Sequence, residues 1–164
     1  VGRRHDLTEF MAVGKGTTDQ LPLRLSVSLD RVPFDEQQAC FDALIRQLPF
    51  VQVLIDQNGL GMQLAEGLAK TGKAKGVDFT NANKEVWAVG ARIQFERGNA
   101  SIPLDRDLAY QIHSVKKTVT AAKHNIFDTE GNEKHHADKF WALALAYSAA
   151  GISRASWKAQ SYQG

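Results

Sequence analysis

Val51–Gly61 reads VQVLIDQNGLG. The run Val51–Ile55 is short, apolar and β-branched, which predicts a strand buried on both faces, central in a sheet with helices packed against it. Asp56 ends that run, and Gly59 and Gly61 open a helix predicted over Leu60–Ala69. Ligands of α/β sheets gather at the carboxyl ends of strands, so a carboxylate stands where sites usually form. The same Asp56 also suits a plain strand end or a helix cap. GLGMQL starts like a dinucleotide-binding glycine pattern, but Leu64 stands where the third Gly or Ala is wanted and the acid precedes the glycines. That reading is set aside.

Upstream, Leu7–Val13 suits a strand and GKGTTDQ supplies turn residues. LPLRLSVSL then alternates, with Leu21, Leu23, Leu25, Val27 and Leu29 on one face, which together predicts an antiparallel hairpin. Asp35–Leu48 spaces Ala39, Phe41, Leu44, Ile45 and Leu48 as an amphipathic helix with Asp35 as its N-cap. Downstream, GVDFT predicts a strand, and Asn83–Glu96 a helix through Val86, Val89, Ile93 and Phe95. SIPLD is a tight connector, Leu104–Ser114 a helix, VKKTVTAAKHNIF a basic stretch able to form an edge hairpin, and DTEGNEKHH a loop. Ala137–Ala149 is rich in Ala and Leu and apolar nearly all round, so it predicts a buried helix. Antiparallel strands followed by alternating strands and helices imply an α/β domain with a mixed β-sheet flanked by helices.

The 164 residues set against about 150 per domain predict a single domain, residues 1–164, with core enough to fold without staples. Charged residues at 23% and hydrophobic ones at 43% exclude collagenous, disordered and coiled-coil classes. The balance of 20 Lys and Arg against 18 Asp and Glu leaves only +2, so nucleic-acid binding must be argued from where the charges lie. The longest apolar stretch, Phe140–Gly151, is about half the roughly 20 residues that cross a bilayer, and the opening residues are no secretory leader. The expectation is a soluble protein of the cytoplasm with no membrane partner. Cys40, the one cysteine, permits neither an intrachain disulfide nor a multi-cysteine zinc site, so a metal would be held by oxygen or imidazole.

HHADKFWALALA sets Asp138 in the first turn of a helix otherwise nearly devoid of charge. The helix dipole favours a carboxylate there, which is explained by simple N-terminal capping. It is equally explained by a site: Asp56 and Asp138 sharing Mg2+ or Mn2+, the hard cations that suit oxygen ligands and drive attack of water on phosphodiesters. His135 and His136 are adjacent and face different directions, with no third spaced ligand, so they read as loop residues rather than a zinc site. Arg3, Arg4 and His5 lead the chain, Lys84 opens a helix, and Lys116, Lys117, Lys123 and His124 lie in a stretch without an acid between Asp107 and Asp128. Such a stripe suits a phosphate backbone, and equally a solvated edge strand. Trp87, Trp141 and Trp157 read as core or partner contacts rather than base-stacking platforms.

The motifs GRR.DLT at the start, PF..Q, IDQNGLGMQLAEGL, VDFTNANKEVW, FERGNASIPLD and HADKFWALALA, in this order and spacing, resemble the C-terminal nuclease domain of the phage large terminase subunit, most closely the Mu-like prophage type. The resemblance spans nearly the whole chain. It implies a ribonuclease H-like fold and a metal-dependent DNA endonuclease that cuts concatemeric viral DNA with one or two Mg2+ or Mn2+ ions. By the same resemblance the family's second acid falls on Asp56 and its last on Asp138. Its first acid belongs to a pattern like G.D.GRR.DLT, just before the residue that is Val1 here, and Asp6 corresponds to the later acid of that pattern, an auxiliary ligand. The expectation is therefore a nuclease domain without the first strand and without the ATPase domain, since no phosphate loop ending in Gly-Lys-Ser/Thr occurs.

Arg3, Arg4, Lys84, Lys116, Lys117 and Lys123 are the expected contacts to double-stranded DNA, orienting the backbone without reading bases. The resemblance implies the terminase ATPase domain, the small terminase and the portal as partners in the bacterial host cytoplasm. Two other readings stand beside it: a resolvase- or transposase-type nuclease of the ribonuclease H-like class, and a DNA-docking fragment without activity.

Overall fold

Leucine and valine at alternate positions of a nine-residue stretch leave one half-buried and one exposed face, as the burial of Leu21–Leu29 shows: Arg24, Ser26 and Ser28 are exposed, and the residues between them are not. This stretch is β2, and it pairs with β1 (Thr8–Val13). The Gly14 N–H donates to the Pro22 carbonyl at 2.8 Å, and Ser28 Oγ to the Glu9 carboxylate at 2.7 Å, so the two strands run antiparallel. The computed structural model describes residues 7–15, 18–119, 125–129 and 137–151. Asp6, Arg3, Arg4, His5, Lys123, His124, His135, His136 and Trp157 lie outside them.

The described chain continues as α1 (Phe34–Gln47), β3 (Val53–Asp56), α2 (Leu60–Ala69), β4 (Ala74–Val77), α3 (Asn81–Glu96), β5 (Ala100–Ser101), α4 (Arg106–Ser114), β6 (Val115–Val119), β7 (Asn125–Thr129) and α5 (Asp138–Ala149). The strands form three sheets, β1-β2-β5, β3-β4 and β6-β7, with β2/β5 and β3/β4 parallel and β6/β7 antiparallel. The mixed α/β class expected from the sequence is what the chain adopts, as is the hairpin in the basic stretch. Contacts divide the chain into two compact units, one holding the residues up to Glu9 and Val27–Phe79, the other Phe10–Ser26 and the residues from Thr80 onward.

In the first unit α2 packs on β3 and β4, and α1 packs on α2. Phe41, Ile45, Val53, Ile55, Leu64, Ala65 and Leu68 are its buried apolar side chains. At Gly67 of α2 a Cβ would press on the Gln38 side chain, so glycine sets how closely α1 approaches. Thr8 Oγ1 donates to the buried amide of Gln37 at 2.8 Å, and Gln37 Nε2 donates to the Val32 carbonyl at 2.7 Å. The DLT and PF..Q motifs thus meet in a buried hydrogen bond.

Three local expectations shift. The strand predicted from Val51 begins at Val53, leaving Val51 93% exposed, because Pro49 and its neighbours hold the chain out as a loop before the Val53 N–H reaches the Lys73 carbonyl. Asp35 does not cap α1: Pro33 occupies the cap position and Asp35 sits in the first turn, where the helix dipole still favours it. The strand expected over GVDFT ends at Val77, since Thr80 leaves the sheet to cap α3 by accepting the Asn83 N–H at 3.2 Å.

In the second unit α5 packs against α3 and α4, and β7 lies on α3. Seven of the α5 residues are buried, Leu143 completely, as its sequence demands. Ala88 and Ala91 on α3 leave room for that contact, and Phe95 meets Tyr147 edge-on at 6.2 Å. Burial pushes the Tyr147 hydroxyl up to about 12. No helix among the described residues is long and apolar enough to cross a membrane.

Candidate functional site

Asp56 is the last residue of β3, in register with Val77 at the end of the parallel β4, so the two strands finish side by side. The next residue on β4's side, Asp78, brings a second carboxylate to that edge. Asp56 Oδ1 accepts the Asn58 N–H at 2.9 Å, an Asx-type turn that bends the chain away at once. The Gln57 N–H reaches the Val77 carbonyl at 3.0 Å, and Gln57 Nε2 donates to Asp78 Oδ1 at 2.7 Å. The Gln57 side chain lies across β4 where a Cβ on Gly76 would strike it, so the glycine makes the crossing possible. Gly59, at φ 59°, leads into α2 with no side-chain cap, so Asp56 does not cap that helix. Sequence reasoning missed Asp78 because the predicted strand ran through it; an acid directly after a β-branched residue, as at Asp56, was the available signal.

Asp138 is the first residue of α5. The cap position belongs to Ala137, buried and in the left-handed region at φ 39°, which offers no side-chain acceptor. The N–H groups of Lys139 and Phe140, the ones an N-cap side chain normally satisfies, donate instead to Gln111 Oε1 at 2.9 and 3.4 Å. Gln111 belongs to α4 and is itself buried. Gln111 therefore takes the part of the N-cap, and Asp138 sits in the first turn, where the helix dipole favours a carboxylate.

An ion cluster ties the same turn down. Lys139 Nζ, with a side chain only 15% exposed, lies 3.1 Å from Asp105 Oδ2 and 2.9 Å from Asp107 Oδ2. Asp105 also caps α4, accepting the N–H groups of Asp107 and Leu108 at 3.0 and 3.1 Å. The Leu108 N–H holds the Asp105 carboxyl below its ordinary range; burial opposes it, and the Lys139 ammonium and the Asp107 N–H add to the lowering. Burial pulls the Lys139 ammonium down, but its bonds to Asp107 and Asp105 together outweigh this and leave it above the usual lysine value. The FERGNASIPLD and HADKFWALALA motifs thus meet through Asp105 and Lys139. Gln111 and Lys139 were not legible as partners, since 28 residues separate them in the chain.

Of the expected DNA contacts, Lys116 and Lys117 are exposed on β6, with Lys116 opposite Asp128 and Lys117 opposite Phe127 in the hairpin register. Lys84 Nζ sits 5.2 Å from the centre of the Trp141 ring, a cation–π contact that joins the start of α3 to α5. Asp56 lies in the first unit and Asp138 in the second. Among the described residues no group of three or more His, Cys, Asp or Glu side chains is gathered closely enough to hold a metal ion. Asp6 and Asp78 apart, the acids at issue are these two, and carboxylate oxygens are the donors that Mg2+ and Mn2+ take.

No protein-family model and no curated protein matches the chain. Solved structures do. The large terminase nuclease of the thermophilic phage G20c with bound magnesium superposes with a TM-score of 0.67 at 20% identity, covering 88% of this chain and 82% of the other. The fold is that of a large terminase nuclease domain. The same G20c nuclease with bound cobalt matches at a TM-score of 0.67 and 21% identity over the same shares, 88% and 82%. The nuclease domain of the Thermus phage P74-26 large terminase matches at 0.63 and 18%, over 87% of this chain and 79% of the other. The terminase nuclease fold that the motifs imply is the one the chain shares with these structures.

Proposed function

We propose that the chain is the nuclease domain of a phage large terminase, a metal-dependent endonuclease that cuts concatemeric viral DNA during genome packaging. The observation that carries this reading is that Asp138 opens a buried helix whose capping Gln111 performs, in a fold shared with terminase nucleases solved with magnesium and cobalt.

Asp56 and Asp138 would hold one or two Mg2+ or Mn2+ ions, with Asp6 as an auxiliary ligand. When bound, such an ion activates water and balances the charge that develops on the phosphate oxygens. The chain's own part is to present oxygen donors at fixed places: Asp56 through the turn that its Oδ1 makes with Asn58, Asp138 through the clamped first turn of α5. Lys116 and Lys117, exposed on a hairpin edge, would hold the phosphate backbone with Arg3, Arg4, Lys84 and Lys123. Backbone contacts orient DNA without reading bases, so site choice would fall to partners: the terminase ATPase domain, the small terminase and the portal, in the host cytoplasm. The Mu-like prophage subtype rests on the motifs alone.

Nicking of supercoiled plasmid with Mn2+, Mg2+ or chelator tests the proposal. Metal-dependent cutting that Asp138→Asn abolishes, with the far-ultraviolet circular dichroism unchanged, is the expected result. A DNA-docking role without cleavage is favoured by one observation, that no three metal-ligating side chains gather among the described residues. It predicts DNA binding indifferent to metal and no cutting by the folded chain.

A further inference from the structure

We propose that Gln111 is a positioning residue that fixes the backbone turn presenting Asp138, held in place by the Asp105–Lys139–Asp107 ion cluster. The inference rests on the reading of Asp138 as a metal ligand. Its geometry is a closed circuit between two helices. Gln111 Oε1 receives the N–H groups of Lys139 and Phe140, at 2.9 and 3.4 Å, while Gln111 Nε2 lies 3.4 Å from each oxygen of Asp107. Asp107 returns to α5 through Lys139 Nζ at 2.9 Å, and Asp105, the cap of α4, joins the same ammonium at 3.1 Å.

Asp138 is the residue caught between the fixed points. On one side Ala137 is 1% exposed and left-handed; on the other Lys139 is held by both its N–H and its ammonium. With the backbone pinned before and after it, the Cα–Cβ direction of Asp138 has little freedom left. The chemistry of the cap matters as well. A local Asp or Ser at the cap position is the usual solution. Here the acceptor is a neutral amide from another helix, which satisfies the two donors without setting a second negative charge beside Asp138. A neutral cap leaves the positive end of the helix dipole acting on the Asp138 carboxylate. Groups that orient a ligand in this way typically change metal affinity by about 10–100-fold when removed.

The test is Mn2+ binding to the whole chain, measured by titration calorimetry or electron paramagnetic resonance, with no DNA present. Gln111→Met keeps the size and removes the acceptor. It is expected to raise the Mn2+ dissociation constant about tenfold or more, and Gln111→Glu, which keeps an acceptor oxygen but adds the charge that the neutral amide avoids, is expected to recover only part of the affinity. Leu143→Ala, buried in the same helix away from the cap, is the control for lost stability and is expected to leave Mn2+ affinity within about twofold. Lys139→Gln opens the ion cluster and leaves the cap; it carries the same expectation at several-fold should Gln111→Met not fold. Equal weakening by Gln111→Met and Leu143→Ala would mean a plain structural role and overturn the proposal. Unchanged affinity in Gln111→Met while Asp138→Asn loses binding would overturn the positioning role and keep Asp138 as a ligand. Unchanged affinity in Asp138→Asn would remove the ligand itself, and the positioning role with it.

Discussion

The two acids are held in contrasting ways. Asp56 is placed by its neighbours in sequence: a buried strand delivers it, and its own carboxylate turns the chain two residues later. Asp138 is placed through its neighbour Lys139, whose partners lie 28 and 34 positions away, Gln111 for the backbone and Asp105 for the ammonium. A local arrangement costs little chain entropy and survives small changes around it, while a distant one orders two helices at once and depends on each member. Disturbing the neighbourhood of Asp56 should therefore do little, and disturbing that of Asp138 should do a great deal.

The largest expected effect treats the two regions alike. Asp56→Asn and Asp138→Asn should each lower metal-dependent plasmid nicking by about a thousandfold or more, the scale of several kcal/mol of charge stabilisation. Asp78→Asn keeps the acceptor for Gln57 and should leave the rate within about threefold of the parent, a change worth less than 1 kcal/mol by the same arithmetic. If it matches Asp56→Asn instead, the first region carries a working pair of carboxylates and the contrast must be redrawn.

The contrast sharpens in stability. Lys139→Met leaves Asp105 and Asp107 facing each other and should cost about 1–2 kcal/mol in a urea titration; a buried pair would cost more, but Asp107 is 57% exposed and screened. Gln57→Ala, the matching deletion beside Asp56, should cost less than about 1 kcal/mol. Equal losses would break the argument from locality.

The two regions should also part with pH. Asp105 has its carboxyl below the ordinary range, so its contribution is present above about pH 4, the unfolded value, and is lost as pH falls through the lower folded value. Lys139 sits above the ordinary lysine value, so its contribution is full below about pH 10 and is lost as pH rises through the raised one. Tyr147 follows the alkaline course: burial raises its hydroxyl to about 12, so its stabilising effect is lost between about pH 10 and that value. A stability profile flat from about pH 5 to 9, falling at both ends, with Lys139→Met removing part of both limbs, is the expected outcome. Tyrosinate absorbance near pH 12 reports the last step.

The smallest effect belongs to Gly76→Ala. The new methyl meets the side chain of Gln57, whose far end can swing aside. Less than about 1 kcal/mol should be lost and nicking should be almost unchanged. A large loss would show that the crossing of Gln57 over β4 orders the Asp56 edge after all.

Much of the fold was legible because hydrophobic period is a local property. The alternation in Leu21–Leu29, the spacing in α1 and the apolar run of α5 each predict their element, and α2 falls where its glycines open it. β5 was not legible: Ala100 and Ser101 have no strand pattern and extend only because Leu21 and Pro22 lie beside them. Asp56 and Asp138 could be picked out by position, one after a buried strand and one before a buried helix. Gln111 could not, since a lone Gln on a helix has no sequence signal until its amide meets the start of another helix.

By itself the sequence determined the order of the elements other than β5, the two acids at element ends and the set of motifs, because each depends on residues within one or two turns of each other. Tertiary structure alone decided that the motifs meet in pairs: Thr8 with Gln37, Gln57 with Asp78, and Asp105 with Lys139. It also moved the capping of α5 from Asp138 to Gln111. The physical reason is that a hydrogen bond reads distance in space, and the separations of 29, 21 and 34 residues carry no trace of it until the chain has folded.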